Sequence, residues 1–67
     1  MANYVFQLLG VVNIEDFYLD LRKADPDIYQ IRFIDKYFVL VESYVELNLD
    51  DIWNKLKKYS FNVYKRV

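Results

Sequence analysis

A segment of this chain is repeated approximately, 35 residues further on. Residues 13–29 read NIEDFYLDLRKADPDIY, and residues 48–64 read NLDDIWNKLKKYSFNVY. Each copy begins with Asn, a preferred helix N-cap, and continues with two acidic residues that favour the first turn of a helix. Apolar residues follow at helical spacing, and a β-rich segment ends each copy. The repeat therefore predicts two equivalent helix–strand units, although two amphipathic helices with Asn caps also resemble each other by chance.

The segments around the repeat complete the element order. The apolar run at residues 3–12 predicts a first strand, and the first helix then runs from Asn13 to Asp25-Pro26, where the proline ends it. Residues 28–34 alternate as a second strand, and Asp35-Lys36 is a plausible two-residue turn. Residues 37–47 and 61–67 predict strands on either side of the second helix, which begins at Asn48. The order is βαββαβ.

Two βαβ units with right-handed crossovers interleave into one antiparallel sheet of strand order 4-1-3-2. Both helices then cover one face of the sheet and leave the other face open. This is the α+β ferredoxin-like plait. The sequence predicts a single domain of this kind over residues 1–67, because 67 residues leave no room for a second core.

Alternation along the strands decides which side chains face the helices. Gln7 and Glu42 lie on central strands, where burial without hydrogen-bond partners is costly, so their face is predicted to be the open one. The second strand disagrees with this assignment, because Ile31 and Phe33 would then face outward and Arg32 inward. The residues predicted to face the helices are Tyr4, Phe6, Leu8, Ile28, Ile34, Val39, Val41, Val45, Phe61 and Val63.

On this assignment the open face is rich in aromatic and apolar side chains. A soluble monomer rarely exposes such a patch, and Tyr, Phe and Arg are enriched at interface cores. We predict a protein-interaction surface, and a homodimer of two sheets packed face to face is the first candidate. The alternative is an accessory or inhibitor module that binds a different protein. The predicted interface residues are Gln7, Tyr29, Phe33, Phe38, Leu40, Glu42, Tyr44, Tyr64 and Arg66.

The size of the chain also favours association. Chains this short form marginal cores that often need a disulfide, a metal or oligomerisation. The sequence contains no Cys and no His, which removes disulfides, thiolate metal sites and the commonest general base. Glu42 and Arg66 are predicted either to pair across the dimer or to lie solvated at its rim.

The segments YVFQLLG and KYFVLVES are loosely similar to the strand motifs of the RNA-recognition motif, which stacks bases on sheet aromatics. The glycines of those motifs are absent, and Leu40 stands where an aromatic residue is expected. The net charge is −1 and the pI about 5.2, so nucleic acid is not the expected partner. A small ligand at a dimer interface, as in amino-acid-sensing domains of this fold, stays open by analogy alone.

The pattern of polar residues predicts neither an enzyme nor a metal or cofactor site. Glu15-Asp16 and Asp50-Asp51 are paired carboxylates, but helix first turns explain both pairs. The lone Gly10 after the first strand does not make a phosphate-binding loop. The basic, aromatic C-terminal segment KLKKYSFNVYKRV is typical of a helix end followed by a charged edge strand, and an electrostatic patch is the alternative.

The N-terminal segment has no basic region before its apolar run, and no apolar run approaches the roughly 20 residues that span a bilayer. We therefore expect a soluble, cytoplasmic protein without membrane contacts. Small domains rich in Tyr, Asn, Ile and Lys are common in AT-rich genomes, viral genomes among them, which is an inference from composition only.

Overall fold

The computed structural model describes residues 1–66 and has the predicted order of elements. The strands are β1 (Ala2–Leu8), β2 (Ile28–Phe33), β3 (Phe38–Ser43) and β4 (Phe61–Arg66), and the helices are α1 (Ile14–Ala24) and α2 (Leu49–Lys55). The strands lie in the order β2-β3-β1-β4, and each neighbouring pair is antiparallel. The fold is therefore the predicted ferredoxin-like plait. Val67, predicted to end the last strand, lies outside the described residues.

Both helices begin with the same hydrogen bond. The side-chain Oδ1 of Asn13 accepts from the backbone N–H of Asp16 at 3.1 Å, and Oδ1 of Asn48 accepts from that of Asp51 at 3.1 Å. Each Asn thereby satisfies a backbone donor that has no partner within its own helix. Helix α1 ends at Ala24, and its C-cap Asp25 lies immediately before the proline, as predicted.

The repeated segments also place matching side chains in the core. Phe17 of α1 and Ile52 of α2 are buried, as are Leu21 and Leu56 one turn further along. These side chains form one apolar cluster with the inward residues of β1 and β3, so both helices cover the same sheet face. Residues that match in the repeat therefore occupy equivalent places in the fold.

Aromatic rings fill the centre of this core. Phe6 on β1 is fully buried and stacks on Phe61 of β4, with ring centroids 5.5 Å apart. The ring of Phe17 meets both in edge-to-face contacts, at 6.2 Å from Phe6 and 6.1 Å from Phe61. Trp53 of α2 also stacks on Phe61, with ring centroids 4.5 Å apart. Such pairs add specific ring contacts to the burial of apolar area.

The strands are shorter than predicted where the local backbone turns away. The predicted first strand reached Val12, but Gly10 adopts a positive φ of 101°, which ends the extended run. The third strand ends at Ser43 instead of continuing to Leu47, so Val45 is exposed and its predicted position under the helices is wrong. Ser43 is buried in the last inward position of β3, and its hydroxyl donates to the carbonyl of Val45.

The connection from β2 to β3 is one residue longer than the predicted Asp35-Lys36 turn. The backbone N–H of Ile34 still donates to the carbonyl of Phe38 at 2.9 Å, so the loop is residues 35–37. Oδ1 of Asp35 accepts from the N–H groups of Tyr37 and Phe38 at 2.7 and 3.0 Å. This Asp side chain closes the turn without a glycine.

A β-bulge in β2 explains the conflict within the predicted sheet faces. Ile28 pairs with Ser43 and Gln30 with Glu42, so Tyr29 is an extra residue opposite no partner. An extra residue reverses the facing of everything that follows it in the strand. Tyr29 therefore faces outward at the bulge, and the apolar residues Ile31 and Phe33 after it face the core.

Candidate interaction surface

The sheet face opposite the helices is the candidate functional site, and we call it the open surface. The register assigns it three residues from each of three strands, together with the outward residues of β2. Apart from Tyr44, which follows β3, its members are Asn3, Val5 and Gln7 of β1, Phe38, Leu40 and Glu42 of β3, Asn62, Tyr64 and Arg66 of β4, and Tyr29, Gln30 and Arg32 of β2.

An apolar band crosses the middle of the open surface. Val5 lies opposite both Leu40 and Tyr64, and Leu40 lies opposite Arg32. Val5 and Leu40 are half-buried by their neighbours, whereas Tyr64 is 53% exposed. Phe38, two residues before Leu40 on the same face of β3, is 39% exposed. These side chains are not needed by the helix-side core, and they leave apolar area in contact with water.

A polar row runs beside this band. Asn3 lies opposite both Glu42 and Arg66, and Glu42 lies opposite Gln30. The row therefore carries an amide, a carboxylate, a second amide and a guanidinium in order from β2 to β4. The carboxylate and the guanidinium are two strands apart, and a gap of about 10 Å between their backbones follows from strand spacing.

Two tyrosines form an aromatic pair at the β2–β3 end of the polar row. The rings of Tyr29 and Tyr44 stack with centroids 4.5 Å apart and planes inclined by 27°. The hydroxyl of Tyr29 donates to Oε2 of Glu42 at 3.1 Å and lies 3.2 Å from Sδ of Met1. Desolvation, followed by the hydrogen bond to Glu42 and its negative charge, raises the pKa of Tyr29 above its usual value. Its hydroxyl thus stays protonated and holds the carboxylate in place.

Phe33 is the predicted interface residue that lies elsewhere. It faces the helices opposite Val39, packs against the core, and its ring lies 6.4 Å from that of Tyr18 on α1. Ile31 faces the same way, while Gln30 and Arg32 face outward. The predicted facing of these four residues was wrong because strict alternation was carried through the bulge at Tyr29.

Ile34 was also wrongly placed under the helices, and it is 59% exposed. Apart from these residues and Val45, the predicted facing is correct. The other predicted interface residues lie on the open surface or at its end: Gln7, Tyr29, Phe38, Leu40, Glu42, Tyr44, Tyr64 and Arg66. Sequence reasoning did not place Gln30 and Arg32 on the open surface. The conflict between the facing of the second strand and that of the central strands was a detectable signal of a bulge.

The other candidate sites have local structural explanations. Glu15-Asp16 and Asp50-Asp51 lie in helix first turns, and Oδ1 of Asp25 accepts from the N–H of Asp27 at 2.8 Å within a turn. Within residues 1–66 there is no group of three or more acidic side chains arranged to hold a metal ion.

A cavity of about 180 Å³ lies between the β1–α1 loop and the β2–β3 turn, lined by Gly10, Val11, Val12, Lys36 and Tyr37.

The basic C-terminal segment is largely paired with carboxylates of the same chain. Lys55 lies 3.0 Å from Asp51, Lys58 lies 2.9 Å from Asp20, and Lys65 pairs with Glu46. The interpretation as a helix end and a charged edge strand therefore accounts for these lysines.

No family model, curated protein or solved structure matches the chain. Across residues 1–66, neither helix has the length and apolar character required to cross a membrane.

Proposed function

We propose that this chain is a non-enzymatic protein-interaction module that associates with a second copy of itself through the open surface. The observation that carries the proposal is the apolar band of Val5, Leu40 and Tyr64, which lies on the sheet face that no helix covers. Exposed apolar patches bounded by polar residues are typical of protein interfaces. Here the polar row beside the band supplies that boundary.

The dimensions of the molecule support an interface of modest size. The longest extents of the chain are 29 and 22 Å. A face of that size is comparable with the surface that a partner buries at the low end of specific interfaces, about 600 Å². Two such faces packed about 10 Å apart would bury the apolar band in a second core. A chain of 67 residues gains proportionally more from this burial than a larger domain does.

The proposal includes no catalytic role. The chain contains neither His nor Cys, and its adjacent carboxylates lie in helix first turns. The polar groups on the open surface are amides, tyrosine hydroxyls, one carboxylate and two guanidinium groups, which suit recognition and register.

Sedimentation velocity over a wide range of concentration tests the proposal. We expect a concentration-dependent shift from monomer to dimer for the natural chain. Tyr64→Glu should abolish the dimer, because it places a charge in the apolar band that the second copy would have to bury. Leu19→Glu is the matched control, since Leu19 lies on α1, away from the sheet, and is also 53% exposed.

A dimer that persists in Tyr64→Glu but not in Leu19→Glu would contradict the use of the open surface. A natural chain that stays monomeric at every concentration would contradict self-association, and the open surface would then be left to a different protein. Circular dichroism of both variants checks that the monomer fold is intact.

A further inference from the structure

The β2–β3 half of the open surface and its β1–β4 half carry complementary side chains. In the apolar band the order from β2 to β4 is Arg32, Leu40, Val5 and Tyr64. In the polar row the order is Gln30, Glu42, Asn3 and Arg66. Each row has an arginine at one end, and the arginines are at opposite edges of the sheet.

A two-fold axis determines which residues of such a surface meet. If the axis runs parallel to the strands, above the boundary of β1 and β3, β2 of one copy lies over β4 of the other. Leu40 then faces Val5 of the second copy, and the guanidinium of Arg32 faces the ring of Tyr64. Within the apolar band, apolar groups therefore meet apolar groups, and a cation meets an aromatic face.

The same axis brings the second arginine to the aromatic pair. Arg66 of one copy lies over Gln30 of the other, beside Glu42 and the stacked rings of Tyr29 and Tyr44. We propose, building on the self-association above, that the dimer is parallel-stranded about this axis and that Arg66 of each copy binds the site formed by Glu42, Tyr29 and Tyr44 of the other.

The chemistry of this site suits a guanidinium. A planar cation stacks on tyrosine rings and donates two hydrogen bonds to a carboxylate. Glu42 is already oriented by the hydroxyl of Tyr29, so little side-chain freedom is lost on binding. The ion pairs formed among residues 1–66 all use lysines, namely Lys55, Lys58 and Lys65.

A two-fold axis perpendicular to the strands, placed between the apolar band and the polar row, gives a poorer match. It brings the apolar band of one copy over the polar row of the other, so that Glu42 faces Leu40 and Arg66 faces Tyr64. The charge of Glu42 would then be buried against an aliphatic side chain with no cation opposite it, which is costly. Charge and polarity therefore favour the parallel arrangement.

Reversing the two charges separately, and then mixing the two variants, tests the pairing. Glu42→Arg places two arginines opposite each other in a homodimer, and Arg66→Glu places two carboxylates opposite each other. Each variant alone should dimerise about tenfold or more weakly, because like charges face each other twice. In the equimolar mixture both contacts are of opposite charge, so a heterodimer should form with restored affinity. Native mass spectrometry resolves it from the homodimers by mass.

Several controls make the outcomes decisive. Lys57→Glu makes the same change of net charge as Arg66→Glu on the exposed turn after α2, and it should leave dimerisation unchanged. Gln30→Arg, on an exposed edge-strand residue, replaces Glu42→Arg if that variant does not fold. This variant too should weaken the homodimer, and the affinity should be restored in a mixture with Arg66→Glu.

Each result bears on a separate statement. A natural dimer with weakened single variants and a restored mixture supports the pairing. Single variants that dimerise like the natural chain, or a mixture that is not restored, overturn the pairing and leave self-association standing. A natural chain that is monomeric throughout overturns self-association itself.

Discussion

Tyr4 joins the central strand to the loop before α2 through a single buried hydroxyl. Its ring is 2% exposed, and its hydroxyl accepts from the backbone N–H of Leu47 at 2.9 Å. Tyr4→Phe keeps the ring and leaves this N–H without its partner, so we expect a loss of about 1–3 kcal/mol in the free energy of unfolding. Urea unfolding measures it. Tyr44→Phe, on a residue 61% exposed, should change stability by less than about 0.5 kcal/mol.

Asp20 gives a second prediction at the scale of a residue, and this one depends on pH. The Tyr59 hydroxyl donates to Oδ2 of Asp20 at 2.6 Å, and Lys58 lies 2.9 Å from the same oxygen. The bond from Tyr59, then that from Lys58, lowers the pKa of Asp20 below its usual value. A carboxyl with a lowered pKa stabilises the fold above its unfolded pKa, and this contribution is lost as pH falls through the folded pKa.

Tyr59→Phe removes the larger of these causes, so the pKa of Asp20 should rise towards its ordinary value. The stability difference between the natural chain and the variant should be largest near neutral pH and shrink in acid. A carboxyl carbon titration by NMR measures the pKa, and thermal unfolding across pH measures the stability. Tyr64→Phe, on the opposite face of the sheet, should not move the pKa of Asp20; an equal shift in this control would contradict the assignment.

At the scale of the elements, the internal repeat provides a matched pair of helix caps. Asn13→Ala and Asn48→Ala each remove one side-chain acceptor from a first-turn N–H at 3.1 Å. We expect each to cost about 1 kcal/mol, which lowers Tm by roughly 4–8 °C in a domain of this size. The double variant should be additive, because the caps share no partner. Asn13→Asp and Asn48→Asp keep an acceptor and should be nearly neutral in thermal melts.

The bulge in β2 gives the other prediction at this scale. Because Ile28 and Gln30 already pair with the consecutive residues Ser43 and Glu42, deleting Tyr29 leaves a regular ladder with the inward residues unchanged. We expect this deletion to fold, with weakened self-association because the stacked ring and its bond to Glu42 are gone. Deleting Ile31 instead forces Gln30 or Arg32 inward and should destabilise the fold severely. Thermal melts and sedimentation separate the two effects.

The same bulge marks the boundary of what the sequence could predict. Periodicity and caps gave the element order, because Asn13, Asn48 and the apolar spacing act locally. Gln7 and Glu42 gave the facing of the central strands, since burial penalises unpaired polar groups. The position of an extra residue depends on how β2 pairs with β3, and no local preference of Tyr29 reveals it. That single residue determined the facing of Phe33, the residue of the predicted interface set that lies under the helices.

For the whole molecule, association and stability should be coupled. If only the folded chain dimerises, the free energy of unfolding includes the association term, and Tm rises with protein concentration. We expect this rise for the natural chain over about a hundredfold range of concentration, followed by circular dichroism. Tyr64→Glu should remove the dependence and match the natural chain when both are dilute.

A core variant should behave differently from a variant of the open surface. Phe6 is fully buried beneath the helices, and Phe6→Ala should lower stability by about 3–5 kcal/mol at every concentration. The open surface contributes to stability only when a second copy covers it. The effect of its variants on Tm should therefore depend on protein concentration, whereas the effect of the core variants should not. A different result would contradict this coupling. If the Tm of the natural chain does not change with concentration, and Tyr64→Glu is equally destabilised at all dilutions, then the open surface stabilises the monomer itself.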